Sequence, residues 1–97
     1  MRFEWDERKN RQNIRKHGFD FTDAWEVFES PVLERLDDRQ NYGEERWLAI
    51  GRLREVTVVI VYTQPDDQTM RVISLRKADH DEQEIYVQRL QDELGAG

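Results

Sequence analysis

The stretch from Glu45 to Lys77, ERWLAIGRLREVTVVIVYTQPDDQTMRVISLRK, decides the fold. Side chains along a strand point alternately to opposite sides. From Glu45 to Leu53, that rule puts Trp47, Ala49 and Gly51 on one face and Leu48 and Ile50 on the other. Val56 to Thr63 is nearly all β-branched or aromatic, the pattern of a central strand covered on both faces. Gln64-Pro65-Asp66-Asp67 reads as a turn, and Met70 to Lys77 as the last strand. Short turns join the three strands, which predicts an antiparallel meander.

Upstream, Val32 to Leu36 is a further short strand, and Asp37 to Gly43 a polar loop. Phe21, Ala24, Trp25 and Phe28 recur at helical spacing behind an Asp20 cap with Asp23 three residues on, and Ser30-Pro31 ends that helix. A first helix runs between the cap Asp6 and Gly18. Its inward stripe is Asn10, Asn13, Ile14 and His17, so it brings polar groups to whatever it docks on. Residues 2 to 5 fit a short strand. Downstream, Asp79 or Asp81 caps a final helix with Val87, Leu90 and Leu94 as its stripe and Tyr86 on the border; Gly95-Ala96-Gly97 should fray. Trp5, Trp25 and Trp47 are expected in the core. The order predicts one α+β domain over residues 1–97: an antiparallel sheet with two N-terminal helices and one C-terminal helix packed on it.

Composition narrows the function. The chain has no Cys, which removes disulfides, thiolate metal sites and Cys nucleophiles. It begins without an apolar signal core, and its longest apolar run, from Val56 to Tyr62, is far too short to span a bilayer. The expectation is a cytoplasmic protein with no membrane partner. Two His and scattered carboxylates give no metal motif, and no glycine-rich phosphate loop or nucleophile elbow is present. No cofactor or metal is expected. The net charge of −6 argues against a simple nucleic-acid binder. Its distribution is uneven, however: residues 2 to 17 carry six cations against three acids, whereas residues 79 to 93 carry six acids against Arg89.

What remains for chemistry is a set of Arg, Lys, His and Tyr residues near strand and helix ends. Arg71 and Arg76 are five apart on the last strand, so they face opposite ways unless a bulge intervenes. Arg76, followed by Lys77 at a strand-to-helix junction, is the strongest functional candidate. Arg46 either serves a site or pairs with Glu44. His17 has the intrinsic pKa for acid–base work, but also suits a helix C-terminus. Lys16 is a phosphate contact or a solvated cation. Tyr62 and Tyr86 either stack on RNA bases or fill the core. Metal-free RNA cleavage needs a base for the ribose 2′-hydroxyl, a donor for the leaving oxygen and cations for the phosphorane; His17 suits acid or base work and Arg suits phosphate oxygens, but residue types alone do not single out this chemistry.

The ordered set Phe3-Glu4-Trp5-Asp6, Lys9-Asn10, Asn13, Lys16-His17-Gly18, Phe21, Ala24, Val27-Phe28, Pro31, Gly43-Glu44, Arg46, Ile50-Gly51, Val61-Tyr62-Thr63, Arg71-Val72-Ile73-Ser74, Arg76-Lys77-Ala78, Glu84 and Tyr86 resembles the BrnT toxins of type II toxin–antitoxin systems. The resemblance implies a RelE-like fold and RNA cleavage that inhibits translation. It also implies a BrnA-type antitoxin carrying a ribbon-helix-helix segment, operator DNA reached only through that antitoxin, and a heterotetramer with it. Carried over by position, Lys16, His17, Arg46, Arg71 and Arg76 form the candidate active surface, with Arg71 and Arg76 as the phosphate-stabilising pair. Two departures stand out. Many relatives are basic after the Arg-Lys-Ala motif, where this chain reads Asp79-His80-Asp81-Glu82; many carry Arg after Tyr-Thr, where Gln64-Pro65 follows here. Both lower the electrostatic attraction for RNA. They keep a rival reading in play, a non-catalytic corepressor module that binds its antitoxin.

Overall fold

A computed structural model describes residues 1–39 and 41–95. The element order is β1 (Arg2–Glu4), α1 (Glu7–His17), a 3-10 turn (Phe21–Asp23), α2 (Ala24–Val27), β2 (Leu33–Leu36), β3 (Trp47–Leu53), β4 (Val56–Asp66), β5 (Thr69–Lys77) and α3 (His80–Gly95). The five strands form one sheet in the order β1-β5-β4-β3-β2. The meander β2 to β5 is antiparallel, with short turns joining β3, β4 and β5 and a longer loop between β2 and β3, but β1 runs parallel to β5. The sheet is therefore mixed, which corrects the all-antiparallel expectation. The physical reason is the connection: β1 reaches β5 across the sheet through the rest of the chain, not through a hairpin, so its direction is free.

Strand alternation gives the sheet two buried faces. Ala49, Leu53, Val58, Ile60, Tyr62, Met70, Val72 and Leu75 join Phe21, Ala24 and Val27 on the first face. Leu48, Ile50, Val59 and Val61 join Ala78 and Tyr86 on the second, under α3. Gly51 lets the first layer close up: a Cβ there would lie 2.9 Å from both Val27 Cγ1 and Val32 Cγ1.

The first helix starts where Asp6 accepts from Lys9 N and stops at Gly18 in the left-handed region, φ 79°, whose N–H bonds Ile14 O. Its buried residues are Asn10 and Asn13. The Asn13 side chain donates to Leu75 O at 2.8 Å and accepts from Leu75 N at 3.1 Å. It acts as a short extra strand where β1, which pairs only residues 69 to 71, no longer covers the β5 edge. Asn10 in turn accepts from Phe21 N.

Two predicted stripes are out of phase with the structure. The second helix is a 3-10 turn followed by a single α turn, so burial follows steps of three: Phe21, Ala24 and Val27 are each 0% exposed, and Trp25 turns outward at 51%. In α3, Tyr86 is buried and Leu90 partly buried, whereas Val87 and Leu94 are exposed. The phase is fixed at its start. Asp79 accepts from Glu82 N and Glu82 accepts from Asp79 N, a reciprocal capping box. That aligns Glu82, Tyr86 and Leu90 at steps of four toward the sheet. Ala96 and Gly97, expected to fray, lie outside the described residues.

Candidate active site

A bulge in β5 brings Arg71 and Arg76 to the same face. Val61 pairs with Ser74 but Tyr62 with Val72, so Ile73 is an extra residue and the alternation slips by one. Arg76 pairs with Val59 and Arg71 with Thr63, both on the second face. The two arginines are still separated along the strand by roughly 16 Å, so they do not grip one phosphate. The candidate residues divide into two clusters.

The first cluster is a row across the ends of the strands. Arg71 pairs with Glu4 on β1 and Thr63 on β4. Arg46 precedes Trp47, whose partner is Tyr62, and so stands beside Thr63 on the second face. Asp37 N donates to Arg46 O and completes the row. Arg71 is half exposed and holds Glu4 at 2.7 Å. The Arg46 side chain is 24% exposed. Its guanidinium lies 4.0 Å from the centre of the Tyr42 ring. Glu44 is 3.9 Å from its Nε, so the pairing expected from sequence is present as a loose ion pair and not as a hydrogen bond. Asp37 is buried, and the hydrogen bonds from Arg39 hold its carboxyl below the usual range. An open cleft of about 470 Å³ adjoins the row; Thr63, Gln64 and Arg71 line it together with the carboxylates of Glu44, Glu45, Asp66 and Asp67.

The second cluster sits at the other end of β5. Lys16 is exposed and His17 half-buried at the C-terminus of α1, and Arg76 and Lys77 end the strand. Burial pushes the His17 imidazole below its ordinary value, and the charges of Lys16 and Arg76 push it further the same way. Lys77 pairs with Val58 and is exposed on the first face. Arg76 is not free. Its fork binds both oxygens of Glu82, at 2.8 and 2.9 Å, and this bond holds the Glu82 carboxyl below the usual range. The strongest candidate from sequence is thus tied to the cap of α3.

Tyr62 and Tyr86 do not reach the surface, which corrects the expectation that they stack on RNA. Each is 1% exposed. The Tyr62 hydroxyl donates to Glu34, and burial raises its pKa strongly, with Glu34 adding to the shift. The Tyr86 hydroxyl donates to Pro31 O at 2.7 Å. Thr63 and Tyr42, which sequence reasoning passed over, are the members of the first cluster it missed. Thr63 ends a β-branched run that marks it only as a strand residue, and Tyr42 lies in a stretch whose composition is that of a polar loop. Among the described residues no group of three or more His, Asp or Glu is placed to hold a metal ion.

These features define a small α+β protein with a five-stranded mixed sheet, three helices and cationic groups at both ends of its fifth strand. Comparison with known proteins makes the assignment specific. The family model described as ribonuclease toxin, BrnT, of type II toxin-antitoxin system matches residues 5–82, and the chain belongs to that family. A solved relative is the Brucella abortus ribonuclease toxin BrnT, a 1.1 Å crystal structure. It is 30% identical with a TM-score of 0.64, over 82% of this chain and 99% of that one. No curated protein gives a significant match. Membership of a type II family implies a protein antitoxin as partner. No helix among the described residues is long and apolar enough to cross a membrane.

Proposed function

We propose that this chain is a cytoplasmic endoribonuclease toxin that cleaves RNA by its own side chains, without a metal, and so inhibits translation. The observation that carries this reading is the Arg46–Thr63–Arg71 row in a member of a ribonuclease toxin family. Arg46 and Arg71 stabilise the charge that builds on the phosphorane, since a guanidinium presents paired donors to phosphate oxygens. The carboxylates of Glu4 and Glu44 flank these arginines; one of them takes the ribose 2′-hydroxyl proton, the 2′-oxygen attacks the phosphorus, and the bond to the 5′-oxygen breaks as that oxygen takes a proton from solvent, leaving a 2′,3′-cyclic phosphate and a 5′-hydroxyl. His17 lies at the far end of β5 from them. With Lys16 and Lys77 it contacts the RNA backbone beyond the reacting phosphate, where Arg76 contributes its field.

The partner in this reading is a BrnA-type ribbon-helix-helix antitoxin. It forms a heterotetramer with the toxin and brings it to operator DNA. The fold is of the RelE type, and one sheet with a core on each face supports a single domain.

A second reading, the non-catalytic corepressor, draws on one observation: Glu82 and Glu4 already neutralise Arg76 and Arg71. Induction of the wild type and Arg46→Ala in cells, with and without the antitoxin, separates the two. Growth arrest and RNA loss only for the wild type without its antitoxin supports the toxin. Unimpeded growth and intact RNA in every arm refutes it and leaves the corepressor.

A further inference from the structure

The strand β2 is an outer strand of the sheet, and among the described residues nothing pairs with its far side. The ladder fixes where its backbone groups point. Asp37 N donates to Arg46 O, so alternation turns the N–H and C=O of Arg35 and Leu33 toward β3 and those of Glu34 and Leu36 outward. An unpaired edge is a template for another strand. Beside it, a groove of about 360 Å³ opens between the second face of the sheet and α3. Leu33, Leu48 and Ile50 form its floor, and Ile85, 56% exposed, stands on its helical wall. The helix covers the sheet with Tyr86 and Leu90 and leaves this margin open. A strand added beside β2 would bond Glu34 and Leu36 and send every second side chain into the groove.

Charge restricts the occupant. The groove carries Glu34, Glu82 and Glu93 against Arg35 and Arg89, and α3 beyond it adds Asp81, Glu84 and Asp92. Its complement is apolar where it meets the floor and basic around that. A second copy of β2 is a poor fit. Two-fold pairing centred on Glu34 sets Glu34 opposite Glu34, and pairing centred on Arg35 sets Arg35 opposite Arg35.

We propose that the β2 edge and the α3 groove dock an extended, basic and apolar segment of the protein antitoxin that family membership implies, added as a further strand of the sheet. The occupant rests on the partner reading above and not on RNA cleavage.

The test uses the full chain and its antitoxin, produced together and purified as the complex, with amide hydrogen exchange compared with that of the free chain. Glu34 and Leu36 should exchange freely in the free chain and at least about tenfold more slowly in the complex, whereas Leu33 and Arg35, already bonded to β3, should be protected in both. Ile85→Asp should bind the antitoxin at least about tenfold more weakly. Val87→Asp, at a similarly exposed position outside the groove, should bind within about threefold of wild type. Wild-type affinity in Ile85→Asp, or Glu34 and Leu36 amides that exchange as fast in the complex as alone, overturns the docking site. Protection of these amides in the free chain that grows with its concentration gives the edge to a second copy and overturns it equally. The expected pattern in a chain that leaves RNA intact supports the docking site and removes the ribonuclease reading; RNA cleavage by a chain whose complex leaves Glu34 and Leu36 unprotected does the reverse.

Discussion

Replacing Arg76 should destabilise the fold before it affects any chemistry. Arg76→Ala strips the Glu82 carboxylate, whose side chain is only 18% exposed, of two bonds at 2.8 and 2.9 Å. Hydrogen bonds to charged groups are worth about 1.5–3 kcal/mol each when removed. The Arg76 side chain is 30% exposed, and Glu82 keeps its bond from Asp79 N, so water and the cap offset part of that loss. A net cost of about 1–2 kcal/mol follows. Glu82→Ala loses the same pair and also the capping acceptor, for about 0.5–2 kcal/mol more. In a chain of this size each kcal/mol moves Tm by about 4–8 °C. A double-mutant cycle of Arg76→Ala, Glu82→Ala and the double variant, read by urea denaturation, should return a coupling of about 1–2 kcal/mol. Because Arg76 holds the Glu82 carboxyl low, the unfolded chain binds the proton more readily. The coupling is therefore full above the ordinary value of 4.5 and lost as pH falls through the lower folded value. A coupling below about 0.3 kcal/mol, with wild-type stability but RNA cleavage lost in Arg76→Ala, would refute this reasoning and return Arg76 to the reacting phosphate.

Three further predictions follow from the packing. Asn13→Ala leaves the buried N–H and C=O of Leu75 without partners; a loss of about 2–4 kcal/mol is expected in urea denaturation, and a loss under about 1 would mean that the β5 edge finds water. Gly51→Ala drives a methyl to 2.9 Å from Val27 and Val32 and should cost about 1–3 kcal/mol, measured by thermal melting; an unchanged Tm would show that α2 shifts freely. The His17 imidazole is held below 6.5, so its protonation favours the unfolded chain. Stability should fall as pH drops from about 6.5 through the lower folded value, and His17→Gln should flatten that part of the profile; a His17 signal titrating above 6.5 by NMR contradicts this.

The strands were legible because each carries its own period: the alternation of β3 and the unbroken β-branched run of β4 need no partner to be read. The parallel pairing of β1 was not, since direction is a property of the whole sheet and three residues carry no mark of it. The phases of α2 and α3 were misread for a related reason. A 3-10 turn shifts the spacing from four to three, and the capping box at Asp79 and Glu82 sets which side of α3 turns inward. At the site, Arg46 and Arg71 were found by residue type. Their common face depends on one extra residue, Ile73, that only the register reveals. Arg76 was overvalued because a guanidinium next to a turn reads the same whether it meets a ligand or Glu82. Thr63 carries no mark in the sequence, because a threonine within a β-branched run reads simply as a strand former.

The central claim, that RNA is cut by groups on this chain with Arg46 and Arg71 at the phosphate, is tested most directly with purified protein and RNA in the presence of EDTA. The account predicts cleavage by wild type that EDTA does not change, and a fall of about 10²–10³ for Arg46→Ala with its fold intact. Intact RNA with wild type, or cleavage abolished by EDTA and restored by a divalent cation, would contradict it.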